Sequence, residues 1–284
     1  MPTVQETIQQ FKSALSAIYR EDEAGAMANQ VAEHVLHKNR LELSLSRQEN
    51  VSEAAAQSIK AIQERLLLHE PLQYVLGSAH FYDLELLVDE RVLIPRPETE
   101  ELVDRVVKEH RGKTGLRVLD ICSGSGCIPL ALAANLDTAK VYGLEVSEGA
   151  LEVAKANAAK YKLPIEWLHQ DVFEDITSIA PHSLNIITSN PPYVLEEEQA
   201  RMRPNVLEYE PHLALFVPDT DPLRFYKRIA ELAANLLHKG GKLYFEINER
   251  YGAEVREQLL QAGFSEAGII QDLFGKERIV QAIL

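Results

Sequence analysis

The feature that most constrains this chain is an alternation of short apolar runs with helical segments, beginning near Leu116 and continuing through the C-terminal half. Residues 117–121, 140–144, 165–169, 184–188 and 242–247 read as strands, each rich in aliphatic and aromatic side chains. Helical spacing separates the first three, with Leu130, Ala131 and Ala134 in one segment and Val153, Ala154 and Asn157 in the next. Strands alternating with helices predict a mostly parallel sheet covered on both faces. The last two apolar runs, 268–271 and 278–283, are joined by Asp272-Leu273-Phe274-Gly275-Lys276-Glu277. That connection is too short for a parallel crossover, so these two pair antiparallel.

The N-terminal stretch differs in kind. Val4, Ile8, Phe11, Leu15 and Ile18 repeat at helical spacing, and Glu21-Asp22-Glu23 opens a second helix carrying Met27, Val31 and Val35. A third helix starts after Ser52 and runs through Ile59, Ile62 and Leu66. It stops at His69-Glu70-Pro71, because the residue before a proline disfavours helix. Residues 80–92 alternate apolar and polar as a hairpin does. The segment Leu93-Ile94-Pro95-Arg96-Pro97-Glu98-Thr99-Glu100 is a stiff connection into a helix bearing Leu102, Val103, Val106 and Val107. The expected organisation is a helical bundle over 1–78 that docks a substrate, a hairpin and linker over 79–97, and an α/β domain over 98–284.

Each of the first four strands of the α/β domain ends in polar chemistry. The first gives Asp120 and the loop Cys122-Ser123-Gly124-Ser125-Gly126, the second Glu145, the third Asp171 and the fourth Asn190. In an open parallel sheet, ligands bind beyond the carboxyl ends of the strands, where the winding direction reverses. The glycines of the loop allow close backbone approach and offer N–H groups. Glu145 follows about twenty residues later, where a carboxylate accepts hydrogen bonds from ribose hydroxyls. Pro129 holds the place of the third glycine of a dinucleotide fingerprint, and no Gly-Lys-Ser/Thr follows for a triphosphate. A nucleoside without pyrophosphate fits better, with S-adenosylmethionine the foremost candidate. Asp171 then accepts from the adenine amino group and the Val172 N–H meets a ring nitrogen.

After the fourth strand comes Asn190-Pro191-Pro192-Tyr193. The two prolines fix φ and remove two backbone donors. What remains is a stack of acceptors, namely the Asn190 side-chain oxygen and the carbonyls of Asn190 and Pro191, beside the flat face of Tyr193. Such a site suits a planar group with an NH2 to donate, either an amide or an exocyclic base amine. The net charge of −14 argues against a broad nucleic-acid footprint. No apolar run reaches membrane-spanning length, and no basic-then-apolar leader opens the chain. Cys122 and Cys127 lack the spacing of a zinc site or disulfide framework, so reduced thiols, a cytoplasmic setting and no metal are expected.

Leu119-Asp120-Ile121-Cys122-Ser123-Gly124-Ser125-Gly126 resembles the cofactor loop of class I methyltransferases, and Asn190-Pro191-Pro192-Tyr193 is similar to their amino-methylating branch. Pro71-Leu72-Gln73-Tyr74, Arg96-Pro97-Glu98-Thr99-Glu100 and Asp272-Leu273-Phe274-Gly275-Lys276-Glu277-Arg278 extend the likeness over nearly the whole chain. Together they resemble the release factor glutamine methyltransferases, which modify the glutamine side-chain nitrogen in the Gly-Gly-Gln motif of class I peptide chain release factors. The resemblance implies a Rossmann-like α/β fold behind the helical bundle and S-adenosylmethionine as methyl donor, leaving as S-adenosylhomocysteine. It implies a cofactor site from Cys122 to Gly126 with Glu145, Asp171, Val172 and Asn190. It also implies an acceptor site of Asn190, Pro191, Pro192 and Tyr193 with Arg96 closing over it. Asn190, Pro191 and Tyr193 are its catalytic candidates; Arg96 and Glu98 are candidates for closing the site from the linker, and Glu246 and Glu210 are weaker ones. Position 122 is Cys where that family usually has Gly, so the backbone there is expected to avoid a strongly positive φ. Position 145 is Glu where Asp is commoner. Close alternatives are a glutamine methyltransferase for a ribosomal protein and an amino-methylase of DNA or RNA.

Overall fold

The computed structural model describes residues 1–284, and the chain divides into two compact units. The first comprises Met1–Gly77 together with Arg203–Tyr209, the second Ser78–Met202 together with Glu210–Leu284.

In the first unit, α1 (Val4–Leu15) starts at a capping box, with Thr3 accepting from the Glu6 N–H and Glu6 returning the bond to the Thr3 N–H. Helix α2 (Glu21–Leu36) opens on its acidic triplet, where the helix dipole favours negative charge. A short helix, α3 (Arg40–Leu45), begins at a second capping box from Asn39 and Glu42. The apolar periodicity does not reveal α3, since Leu43 alone of its residues is buried. Helix α4 (Glu53–Leu67) is capped by Ser52, and α5 (Leu72–Leu76) follows Pro71 and ends at Gly77 in the left-handed region. The core gathers Val4, Phe11, Leu15, Ala24, Val31 and Leu66. Ile18 is not part of it: the helix closes at Ser16, and Ile18 lies exposed in the turn beyond. Arg203–Tyr209 belongs to this unit, Arg203 pairing with Glu23 at 3.0 Å and the Tyr209 hydroxyl donating to the Leu68 carbonyl at 2.7 Å.

The second unit opens with a hairpin, β1 (Ser78–Phe81) and β2 (Leu84–Leu87), turned through Tyr82 and Asp83 at φ 45° and 63°. Pairing stops at Leu87, short of the expected 92, and the chain leaves as a strap into α6 (Pro97–His110). Then follow β3 (Arg117–Ile121), α7 (Cys127–Asn135), β4 (Lys140–Glu145), α8 (Glu148–Tyr161), β5 (Ile165–His169) and β6 (Leu184–Ser189). Two-residue strands β7 (Val194–Leu195) and β8 (Phe216–Val217) pair with each other, and the one-turn helix α9 (Pro204–Leu207) lies between them in sequence. The unit closes with α10 (Arg224–Leu236), β9 (Leu237–Glu246), α11 (Gly252–Gln261), β10 (Glu266–Gln271) and β11 (Glu277–Ile283).

The main sheet has the order β10-β11-β9-β6-β3-β4-β5. Its pairs from β9 to β5 are all parallel, and β11 runs antiparallel to both β9 and β10, as the short connection required. Strand β9 starts five residues earlier than the apolar pattern suggests, because Leu237 already pairs with Leu184 ahead of a register shift. The direction of winding reverses between β3 and β6, so the carboxyl ends of those two strands flank the crevice. Two apolar layers cover the sheet, one through Leu119, Leu144, Ile187, Tyr226 and Phe245, the other through Val103, Val118, Leu130 and Ile186.

The single tryptophan fixes one part of this packing. Trp167 on β5 pairs in register with Gly143 on β4, and its ring also lies against Gly126. A Cβ on Gly143 would run into the indole. Gly143→Ala is therefore expected to destabilise the protein by about 1–3 kcal/mol, read as a lowered midpoint in urea denaturation. An unchanged midpoint would mean that this contact does not constrain the sheet.

Candidate active site

The loop after β3 is built from alternating left-handed residues. Cys122, Gly124 and Gly126 have φ of 64°, 52° and 81°. The expectation that Cys122 would avoid positive φ is thus wrong, and the surrounding hydrogen bonds show why. The Ser123 N–H donates to the Leu144 carbonyl at 3.1 Å, the Gly124 N–H to Glu145 Oε2 at 2.8 Å and the Gly126 N–H to the Ser123 carbonyl at 2.8 Å. Together these over-determine the turn, so Cys122 accepts a conformation that costs a non-glycine residue about 1–2 kcal/mol. Asn157, fully buried on α8, adds a brace: its amide bonds both polar groups of the Leu87 backbone and the Ser125 carbonyl.

Beside this loop lies a cavity of about 320 Å³. Its walls include Cys122, Ser123, Gly124, Ser125, Glu145, Asp171, Val172, Asn190, Pro192 and Arg96, with apolar surface from Leu144, Val146, Phe173 and Phe225. Gly126, Pro191 and Tyr193, singled out with them in the sequence, do not line it. Glu145 is already engaged. Its Oε2 accepts from Gly124 N–H and its Oε1 from the N–H groups of Val146 and Ser147, both at 2.9 Å. A carboxylate offers about four lone-pair sites, so Glu145 retains room for one further donor. Asp171 Oδ1 accepts from the Phe173 N–H at 2.9 Å, and Oδ2 has no partner of its own.

The linker supplies another wall. Arg96 pairs with the buried Glu210 at 2.7 Å, and Glu210 also accepts from the Ile94 N–H at 3.1 Å. Glu210 thus holds the strap of Leu93, Pro95 and Arg96 against the cavity. The Asn-Pro-Pro-Tyr turn is anchored from behind. Asn190 Nδ2 donates to Thr99 Oγ1 at 3.2 Å, the Thr99 hydroxyl donates to Glu246 Oε2 at 2.6 Å, and the Tyr193 hydroxyl donates to Glu246 Oε1 at 2.9 Å. Asn248 donates to the Tyr193 carbonyl at 3.2 Å. Burial pushes the Glu246 carboxyl above its ordinary value, and burial together with the neighbouring Glu246 charge raises the Tyr193 phenol. Both thiols are raised by burial, Cys127 to about 12, so neither is a reactive thiolate.

Comparison with known proteins bears on this geometry. Residues 6–77 match the PrmC N-terminal domain and residues 98–208 the methyltransferase small domain. The chain is 43% identical to the release factor glutamine methyltransferase of Bacteroides thetaiotaomicron, across 96% of this chain and 97% of that one. The chain belongs to the release factor glutamine methyltransferase family. The enzyme of that name from Flavobacterium psychrophilum is 38% identical over 96% of each chain. Among solved structures, the 16S rRNA N2 G1207 methyltransferase of T. thermophilus, in complex with AdoMet and guanosine, superposes with a TM-score of 0.51 at 20% identity. That likeness covers 72% of this chain and 49% of that one, and it bears on the fold alone. The Rossmann-like α/β architecture read from the sequence is that of the family.

Two groups gain weight in the folded chain of this family member. Glu246 and Glu210, weak candidates by sequence, are buried at the rear and side of the cavity. Their signal was present: Glu246 closes a fifth strand at the same edge as the other four polar strand ends. Thr99 is legible only in three dimensions, since it reaches Asn190 from 91 positions away.

Asp120 sits at the seam between β3 and β6 with no exposure. Its Oδ1 accepts from the Thr188 hydroxyl at 2.7 Å, while Oδ2 is buried without a partner. Burial raises its pKa from 3.8 to about 7. Between those values the folded protein holds a proton that the unfolded chain releases. Raising the pH across that window therefore weakens folding, and above it the contribution is constant. Asp120→Asn cannot titrate, so wild type should lose stability relative to the variant as pH rises from 3.8 to about 7. Parallel pH profiles of the two urea midpoints would contradict the assignment.

Proposed function

We propose that the enzyme transfers a methyl group from S-adenosylmethionine to the side-chain amide nitrogen, N5, of the glutamine in the Gly-Gly-Gln motif of peptide chain release factors. The observation that carries this reading is the Asn190 amide, pinned by its NH2 to Thr99 and bordering a cavity whose other wall is the glycine loop. The residues present fit a nucleoside sulfonium. The cavity offers apolar walls at Leu144, Val146 and Phe173, spare acceptors on Glu145 and Asp171, and an unpartnered buried hydroxyl at Ser125. Its arginines are engaged elsewhere: Arg91 with Asp89 and Glu152, Arg96 with Glu210, and Arg224 over the Phe173 ring. That leaves little to attract a pyrophosphate.

S-adenosylmethionine, when bound, supplies an electrophilic methyl and a neutral leaving group. Cys122, Ser123, Gly124, Ser125, Glu145, Asp171 and Val172, which line the cavity, would hold it. The chain's remaining task is to orient a poor nucleophile, since the lone pair of a glutamine nitrogen is delocalised into its carbonyl. The Asn190 oxygen, which borders the cavity, accepts one amide N–H, at about 1 kcal/mol of net stabilisation. Alignment for attack contributes several kcal/mol more. Pro192 lines the cavity beside the amide, and Tyr193 holds the turn from behind through Glu246. No general base is required during attack, because the methylated nitrogen becomes acidic and loses its proton afterwards. Release factors as the protein partner place the reaction with the translation machinery, consistent with a cytoplasmic enzyme and reduced thiols.

The test uses isotopically labelled S-adenosylmethionine with purified release factor, ribosomal proteins and DNA offered in parallel, and peptide mass spectrometry to locate the methyl group. Label is expected on the glutamine of Gly-Gly-Gln. Asn190→Ala should lower kcat by about 10²-fold, as loss of a preorganised transition-state contact does, while weakening cofactor binding far less. Label on a ribosomal protein or on DNA would overturn the choice of substrate, and near-normal turnover by Asn190→Ala would overturn the acceptor site.

A further inference from the structure

Asn190 accepts from a substrate NH2 only if its own amide is held one way round, oxygen toward the cavity and nitrogen away. The two orientations are nearly equal in shape, so a specific contact must choose between them. Behind Asn190 stands a chain of groups with a fixed sense. Glu246 is 1% exposed, and its two carboxylate oxygens meet two hydroxyls, Thr99 at 2.6 Å and Tyr193 at 2.9 Å. Burial raises the Glu246 carboxyl, while the Thr99 and Tyr193 hydroxyls and the charge of Arg278 oppose that rise, and both contacts have Glu246 accepting as the carboxylate. An ionised carboxylate only accepts, so both hydroxyls must donate to it. A hydroxyl has one proton. Thr99, itself 2% exposed, gives that proton to Glu246 and can only accept from Asn190 at 3.2 Å. Asn190 must therefore turn its NH2 to Thr99 and leave its oxygen for the cavity.

We propose that buried Glu246, acting through Thr99, sets the orientation of the Asn190 amide and thereby makes the acceptor site selective for a carboxamide over a carboxylate. The inference deepens the reading of Asn190 as the amide acceptor and rests on it. Glu246 and Thr99 are positioning residues. With the Asn190 oxygen presented, a glutamine NH2 finds an acceptor, whereas a glutamate at the same place meets oxygen with oxygen. If the sense of the chain reverses, Asn190 presents its NH2 instead, and the preference reverses with it.

Glu246→Gln reverses that sense at nearly constant shape. Its new amide can donate to Thr99, whose proton is then released toward the Asn190 oxygen. Thr99→Val removes the link altogether, and Thr99→Ser keeps the hydroxyl. The experiment measures kcat and KM on full-length release factor for wild type and the three variants. It also measures inhibition by a release factor whose acceptor glutamine is replaced by glutamate, with S-adenosylmethionine binding as the check on folding. Glu246→Gln and Thr99→Val are expected to lose about 10- to 100-fold in kcat with cofactor affinity retained, and Thr99→Ser to recover most of the rate lost in Thr99→Val. Relative to the glutamine form, the glutamate form should bind at least tenfold better to Glu246→Gln than to wild type. Unchanged kcat in Glu246→Gln, or a lost rate without any shift in preference, overturns the proposal. Should Glu246→Gln fail to bind cofactor, Thr99→Val and its rescue by Thr99→Ser decide the matter alone. Wild type that leaves the release factor unlabelled overturns instead the reading on which the proposal rests.

Discussion

The hydrogen bond from Thr188 to Asp120 closes the seam on which the catalytic unit depends. It joins β3 to β6 with no exposure on either side, where the sheet's winding reverses and the strand ends separate toward the crevice. A second bond, from the Ser189 hydroxyl to the Ile121 carbonyl at 2.6 Å, fastens the next residue pair. Two segments of the candidate site leave the sheet immediately beyond these bonds: the glycine loop from β3 and the Asn-Pro-Pro-Tyr turn from β6. Burying a carboxyl here is costly, and the rise in the Asp120 pKa is the sign of that cost. The seam accordingly combines precise registry with a polar group whose second oxygen has no protein partner.

The site is polar mainly through backbone. Glu145 spends three of its lone pairs on N–H groups of the chain itself, so the loop holds its shape before any ligand arrives. That is preorganisation in the sense that matters for binding, since a loop already fixed gives up little entropy on association. Cys122 is the local cost of this arrangement. Its backbone adopts the conformation a glycine would take, while its side chain fills space against the neighbouring apolar cluster.

Much of this was legible in one dimension. Period-two and period-3.6 patterns locate every strand of the main sheet, and the short Asp272–Glu277 connection dictates the antiparallel pairing at its end. Four polar strand ends converge as expected because a parallel sheet aligns its carboxyl edges. Short elements escape the reading: α3 buries too little apolar surface for periodicity to show it, and β2 ends at Leu87, whose backbone bonds to Asn157 on α8. The φ of Cys122 is misread because sequence rules describe the isolated residue, while three hydrogen bonds of its neighbours decide its conformation. The Thr99 contact with Asn190 is invisible in the sequence because it is made entirely by folding.

Three buried or nearly buried glutamates divide the labour of the site. Glu145 shapes the glycine loop, Glu210 holds the linker strap through Ile94 and Arg96, and Glu246 anchors the acceptor motif through Thr99 and Tyr193. Each has an oxygen satisfied by groups donated from a different segment, so each carboxylate acts as a clamp between distant parts of the chain. A carboxylate suits this role because it only accepts, and so fixes the direction in which every neighbouring hydroxyl or amide must point. Directional certainty of that kind is what a glutamine substrate demands. Its amide oxygen and nitrogen are nearly alike in size, and only a site whose own donors and acceptors cannot exchange places can tell them apart.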